Sequence, residues 1–299
     1  MNRSSVRSVL PHIWSLAGGR ELRCDERPLV MGVVNVTPDS FYDGGRYVTT
    51  ERAVAHALAL VEQGADILDL GAESTRPGAR PVGEEEELAR LLPVVTELVR
   101  RVTVPISIDT TKATVARHTL EAGASIINDV SALRRDPEMG PVIAQHSAGV
   151  VLMHMQGTPT SMQDRPHYED VVAEVTQFLD ERLQAAERTG IAKMNIVLDP
   201  GIGFGKLLVH NLRLLNELSA FLMLNRPLLV GVSRKAFIGQ IVDRPADHRE
   251  WGTAAAIALA VDRGARILRV HDVEGMADVV KVAAAIGCAV SPARQEGYA

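Results

Sequence analysis

Short apolar runs recur along the chain, and each ends in polar or ionisable residues. The run "PLVMGVVN" stops at Asn35, "DILDLGAEST" at Glu73–Thr75, "VPISID" at Asp109 and "ASIIND" at Asn128 and Asp129. Further along, "GVVLMH" stops at His154, "NIVLD" at Asp199, "PLLVGVSRK" at Arg234 and Lys235, and "ARILRVHD" at Arg269, His271 and Asp272. Runs this short, rich in Val, Ile and Leu, read as strands buried on both faces. Polar groups gathered at the same end of successive buried strands imply one shared pocket.

Between these runs the period changes to that of a helix. "ERAVAHALALVEQG" places Val54, Ala57, Leu58 and Val61 on one face and stops at Gly64. "EEEELARLLPVVTELVRR" sets Glu84–Glu87 in its first turn and Arg100 and Arg101 in its last, the order that complements a helix dipole. The glutamates therefore read as a solvated first turn rather than a cation site. "DVVAEVTQFLDERLQAAERTG" repeats Val172, Val175, Leu179 and Leu183 before Gly190.

The helix-to-strand joints share a motif: "QGADILDLG", "AGASIINDV" and "RGARILRVH". In each, Gly64, Gly123 or Gly264 is placed to take the left-handed conformation that ends a helix. About eight strand–helix units follow one another, which predicts a (β/α)8 TIM barrel. A doubly wound open sheet shares the local signals, but it normally carries a Gly-rich dinucleotide loop after an early strand. Asn35-Val36-Thr37-Pro38 is no such loop. The expected organisation is a loosely ordered N-terminal extension over residues 1–19 and one barrel over 20–299.

Composition narrows the setting. Of 299 residues, 46% are hydrophobic and 23% charged, proportions of a globular protein rather than a disordered one. A net charge of −5 argues against a nucleic-acid partner. No apolar stretch approaches the roughly twenty residues that span a bilayer, so no membrane partner is expected. Pro11 and His12 interrupt any signal-like core at the N-terminus. Cys24 and Cys288 are the only cysteines and lack metal spacing, which fits a reducing, cytosolic protein without a structural disulfide.

The strand ends supply carboxylates (Asp109, Asp129, Asp199), amides (Asn35, Asn128) and basic groups (Arg234, Lys235, Arg269, His271). Carboxylates with amides suit a planar, nitrogen-rich heterocycle, because a carboxylate accepts two parallel N–H bonds from an amidine-like edge. Arg269 and His271 lie two apart on a strand, point the same way, and suit a phosphate or pyrophosphate. Two loops read as lids: "TPDSFYDGGRY", with Asp39, Ser40, Asp43 and Arg46, and "AESTRPGARPVG", with Ser74, Thr75 and Arg76.

Plainer readings stand beside these. Asp109 before "TTKATVARH" also fits a helix N-cap, and on sequence alone neither reading outweighs the other. Asp199 before "PGIGFGK" also fits a residue that shapes a glycine-rich turn. Gly201, Gly203, Gly205 and Lys206 have the wrong spacing for a phosphate loop. His154, between Met153 and Met155, reads as a packed histidine. No zinc spacing and no Ser–His–Asp set emerges.

The segments "MGVVNVTPDSFYDGG", "GAESTRPG", "SIDTTK", "IINDVSA", "LDPGIGFGK", "GVSRKAFIG" and "RVHDV" together resemble the dihydropteroate synthase family, in its order and spacing, from about Leu29 to Ile286. The resemblance implies a (β/α)8 barrel of folate biosynthesis, usually a homodimer. It also implies a reaction that joins 6-hydroxymethyl-7,8-dihydropterin pyrophosphate to p-aminobenzoate. Carried onto this chain, it assigns Asp109, Asn128, Asp199 and Lys235 to the pterin ring, with Lys235, Arg269, Asp109 and Asp199 carrying the catalysis. Asn35 would ligate a Mg²⁺ ion bridging to the pyrophosphate, and Arg269 and His271 would hold the same anion. Thr75, Arg76 and Ser233 would surround p-aminobenzoate, with Asp43 aiding loop closure. Leu207 and Ala236 depart from the family's usual Thr and Ser. A pterin-binding methyltransferase barrel and a non-catalytic paralogue are the alternatives; the "STRPG" and "SRK" segments argue against the first and the intact residue set against the second.

Overall fold

The computed structural model describes residues 13–24, 27–37, 46–73 and 82–289. Two antiparallel strands, β1 (Ile13–Leu16) and β2 (Arg20–Arg23), precede eight parallel ones. These are β3 (Leu29–Asn35), β4 (Ile67–Gly71), β5 (Ile106–Asp109), β6 (Ile126–Asp129), β7 (Gly149–Met153), β8 (Ile196–Asp199), β9 (Leu229–Val230) and β10 (Ile267–Val270). Helices α1 (Arg46–Glu62), α2 (Glu84–Val99), α3 (Ala113–Glu121), α4 (Met139–Gln145), α5 (Val171–Arg188) and α6 (Leu208–Asn216) follow β3 to β8 in turn. After β9 come α7 (Ala236–Val242) and α8 (Glu250–Asp262), and α9 (Val273–Ala289) follows β10.

Hydrogen bonding runs β8-β7-β6-β5-β4-β3-β10-β9. The seam between β8 and β9 is joined by a parallel bridge, Leu198 to Leu228, and by the Leu198 N–H donating to Pro227 O at 3.0 Å. The expected (β/α)8 barrel is therefore what the chain forms.

The two-residue period of each strand sorts its side chains. Leu68, Leu70, Ile108, Ile127, Val150, Leu152, Leu198, Leu268 and Val270 face outward and pack beneath the helices. The opposite phase faces the interior. Its lowest members, Met31, Ile67, Ile126, Val151, Val197, Leu229 and Ile267, form one apolar layer. Two residues further on, the same phase reaches Asp69, Asn128, Asp199 and Arg269. The barrel interior thus changes from hydrocarbon to charge within one step of the pleat.

Gly64, Gly123 and Gly264 take φ of 102°, 108° and 102°, so the shared joint motif is the predicted left-handed helix stop. Helix α2 differs from expectation in two ways. It ends at Val99, with Arg100 as its C-cap and Arg101 beyond. Glu87 is also fully buried and paired with Lys112, not solvated, because the end of β5 turns back over that helix start.

Residues 13–19 are likewise not the loose extension expected of them; residues 1–12 lie outside the described ones. Trp14 and Leu16 on β1 join the lowest interior layer and close the barrel floor. Trp14 Nε1 donates to Asn195 O at 2.8 Å, and Asn195 Nδ2 donates to Ser15 O at 3.1 Å and Ser147 O at 2.7 Å. The indole buries a large apolar surface while its one donor stays satisfied.

Replacing Trp14 with Ala should therefore cost about 3–5 kcal/mol by opening a cavity under the barrel. Equilibrium urea unfolding reads this directly; a change under about 1 kcal/mol would show the floor to be dispensable.

Candidate active site

Above the apolar floor, two carboxyl groups and a guanidinium meet. Arg269 Nε donates to Asp69 Oδ2 at 2.6 Å, and Arg269 Nη2 donates to Asp109 Oδ2 at 3.0 Å. Asp69 is fully buried, and it also accepts from Ser107 Oγ at 2.6 Å and Asn128 Nδ2 at 3.2 Å. Four strands, β4, β5, β6 and β10, thus share one bonded cluster. Register places them: Asp69 lies beside Ser107, and Asp109 beside Asn128.

Burial raises the Asp109 carboxyl to about 7, against the pull of Arg269. Arg269 loses something to burial but gains more from Asp69 and Asp109, so it is held firmly charged. Asp109 is not the N-cap of α3. That position is Lys112, and Asp136 Oδ2 accepts the Ala113 N–H at 2.8 Å.

Asp199 ends β8 opposite, beside Met153. Its Oδ1 accepts from Gly201 N at 2.7 Å, so it shapes the turn as well as facing the interior. Burial raises its carboxyl, with Lys235 the first group opposing that rise. Lys235 donates to Ile202 O, and its Nζ lies 4.5 Å from the centre of the Phe204 ring. Burial lowers Lys235 to about 8, partly offset by Asp199. Gly201 is required here: its φ is +68°, and a Cβ would sit 1.8 Å from His154 O.

Along the β9–β10 edge, Ser233 Oγ accepts the His271 backbone N–H at 3.2 Å and lies 3.0 Å from His271 Nδ1. Ser233 is thereby tied to the histidine on the cationic side. Asn35 is exposed at the tip of β3, the strand next to β10. Among the described residues no group of three or more His, Cys, Asp or Glu is arranged to hold a metal. One amide oxygen at the rim does fit Mg²⁺ whose other ligands come from phosphate and water, since that ion is commonly held by few protein groups.

The fold therefore gathers Asp109, Asn128, Asp199, Lys235 and Arg269, with Ser233, His271 and Asn35 along the neighbouring rim. Asp43, Thr75 and Arg76 lie outside the described residues. Two groups from the strand-end inventory point elsewhere. Asp129 accepts from Ser131 N, Ser131 Oγ and Leu133 N at 2.7–2.8 Å, holding a loop whose Ala132 and Leu133 have positive φ. Arg234 pairs with Asp272.

Asp69 escapes sequence reasoning because it sits inside its apolar run and not at the end of it. The available signal was a charge inside "DILDLG", in phase with the inward Ile67. Lys112, which bridges buried Glu87 to Glu73, escapes sequence reasoning as well. A cavity of about 370 Å³ opens beside Asp109, lined among others by Thr110, Ser131, Arg134 and Met155. A larger cleft, about 680 Å³, lies outside the barrel between α5 and α6 and contains none of these strand-end residues.

The chain is similar to known proteins over most of its length. The model of the pterin binding enzyme family matches residues 31–271. The dihydropteroate synthase of Synechocystis sp. is 47% identical over 262 residues, 87% of this chain and 91% of that protein. The structure of Xanthomonas albilineans dihydropteroate synthase with 4-aminobenzoic acid superposes with a TM-score of 0.86 at 49% identity, covering 93% of this chain and all of that one. The same enzyme in complex with 7,8-dihydropteroate gives 0.82 at 46% identity, over 92% and 98% of the two chains.

Proposed function

The chain belongs to the pterin-binding enzyme family, and within it to the dihydropteroate synthases, and from that premise we propose how its own residues divide the reaction. The enzyme condenses 6-hydroxymethyl-7,8-dihydropterin pyrophosphate with p-aminobenzoate, giving 7,8-dihydropteroate and pyrophosphate. Asp109, Asn128, Asp199 and Lys235 bind the pterin. The observation that carries this reading is the unbroken line of hydrogen bonds from Asn128 through Asp69 and Arg269 to Asp109. It holds two acceptors and an amide rigidly at the depth where a flat ring would lie.

The electron-rich dihydropterin releases its diphosphate as the exocyclic carbon–oxygen bond breaks, with the electron pair leaving on oxygen. The carbon left behind is cationic and delocalised into the ring. Asp109 and Asp199 lie in a low-dielectric pocket, where fixed negative charge stabilises that cation strongly. The amine nitrogen of p-aminobenzoate then forms the new carbon–nitrogen bond and gives up a proton. Arg269 and His271 hold the diphosphate. Where the Ser233 hydroxyl donates to Nδ1, the His271 hydrogen is carried on Nε2, available to an anion. Asn35 supplies one ligand to Mg²⁺, which when bound neutralises charge on the leaving group. Thr75 and Arg76, with Ser233, contact p-aminobenzoate, and Asp43 orders loop closure; the family motif supports these assignments.

The assembly we propose is a homodimer in a reducing, cytosolic setting, with an N-terminal segment ahead of one barrel domain. Helix α8, "EWGTAAAIALAVD", is apolar on nearly every side, yet Trp251, Ala255 and Leu259 form an exposed stripe at four-residue spacing. Val282 and Ile286 extend it on α9, which packs beside α8. A helix apolar all round is normally covered, and a second copy of the same face supplies a closed two-fold cover. Among the described residues no helix is long and apolar enough to cross a membrane.

Arg269→Ala should reduce dihydropteroate formation by at least about a hundredfold, and Asn35→Ala should raise the Mg²⁺ concentration needed for half-maximal rate. Steady-state assays of both variants test the anion side; near-normal pyrophosphate release by Arg269→Ala would remove it. The pH dependence of kcat/KM follows from two groups. Asp109, raised to about 7, must be ionised to accept ring N–H bonds, so activity falls as pH drops through that value. Lys235, lowered to about 8, must keep its proton, so activity falls again above it. A profile that stays flat between about pH 5 and pH 9 contradicts both roles. For the dimer, Leu259→Asp should shift sedimentation velocity from a dimer to a monomer; a wild-type monomer would dismiss the interface.

A further inference from the structure

Lys206 is 3% exposed, carries a chemically costly amine, and takes no part in the scheme above. Its Nζ donates to His154 Nδ1 at 2.8 Å and to Phe204 O at 2.9 Å. Both partners bear on the turn after β8. Gly201, Gly203 and Gly205 have φ of 68°, 84° and 62°, so this turn has little intrinsic preference for one shape and must be fastened from outside.

The fastenings are individually visible. Asp199 holds Gly201 N, Asn211 Oδ1 accepts Gly203 N at 2.6 Å, and Tyr168 OH donates to Gly205 O at 2.8 Å. Within the turn the Phe204 N–H donates to Gly201 O at 3.1 Å, and from outside it Lys206 holds the Phe204 carbonyl; the Phe204 ring covers Lys235 Nζ. One residue behind Gly203, Ile202 O accepts from the same Lys235 ammonium. The turn is therefore the surface against which Lys235 is set.

His154 anchors the other end. Its backbone N–H donates to Asp199 O at 2.9 Å, its ring stands edge-on to Phe178 at 4.8 Å, and burial drives it down to about 2. A neutral ring with its hydrogen on Nε2 offers Nδ1 as an acceptor, and the Lys206 amine donates to it. A methionine would fill the same space without the cost of burying an amine, so the donors are what the position uses.

We infer that Lys206 is a positioning residue: by bridging His154 to Phe204 it holds the 201–205 turn in the shape that sets Lys235 against the pterin. The inference rests on the assignment of Lys235 to the pterin. Lys206→Met should raise KM for 6-hydroxymethyl-7,8-dihydropterin pyrophosphate about tenfold while KM for p-aminobenzoate stays within about twofold. His154→Leu, which removes the acceptor, should reproduce that split. His154→Gln, which offers a side-chain oxygen in its place, should keep pterin KM within about threefold of wild type. An unchanged pterin KM in Lys206→Met, or a fall in kcat alone as from a smaller active fraction, overturns the inference. Should Lys206→Met not fold, equal behaviour of His154→Leu and His154→Gln overturns it instead. Lys235→Met separates the two levels: if that variant leaves pterin KM unaltered, the pterin assignment fails before the positioning role is reached.

Discussion

Arg269 stands between two carboxylates, Asp69 fully buried and Asp109 partly so, and the interior of the barrel is organised around that imbalance. Asp69 has no access to water, and its two oxygens are met by Arg269 and by the donors Ser107 and Asn128. Asp109 competes for the same guanidinium and is left only partly compensated, which is why burial keeps its carboxyl near 7. Two acids on one cation leave a pocket short of positive charge. Under the proposed function, a ring edge rich in N–H groups, or a carbon that becomes cationic as diphosphate departs, would fill that shortage.

The charge is supportable because the layer beneath it is dry. Trp14 and Leu16 seal the floor with Ile67, Ile126, Val197 and Ile267, each one pleat below a polar group. Interactions above a water-free floor are screened less and are held without reorganisation. Stability and chemistry are thus stacked along the same strands, with the apolar half below and the ionised half at the carboxyl ends.

Around the mouth an acidic side and a basic side meet at Arg269, which bonds Asp69 and Asp109. Asp109, Asn128 and Asp199 occupy β5, β6 and β8, Arg269 lies on β10, Ser233 and His271 follow β9 and β10, and Asn35 stands on the neighbouring β3. Under the proposed assignment, a substrate with a nitrogen-rich ring and a diphosphate tail would be oriented by this division. Lys235 sits between the halves, sharing the field of Asp199 and Arg269. Its placement depends on a glycine turn that has no shape of its own, which gives Lys206 and His154 their weight.

Much of this was written in one dimension. Apolar runs in a two-residue phase, helix stops at Gly64, Gly123 and Gly264, and polar residues at strand ends determined the barrel, and Asp109, Asn128, Asp199, Lys235 and Arg269 were legible because a closed parallel sheet brings all strand ends to one rim. Partnership was not legible, because it joins residues far apart in the chain. Asp69 and Arg269 are 200 positions apart, Lys206 and His154 are 52 apart, and Lys112 reaches back 25 positions to Glu87. The same limit hid the order of residues 13–19, whose reason to be fixed is a barrel floor contributed by seven other strands. Local pattern decides which side of a strand a residue faces; only closure of the sheet decides which charge meets it there.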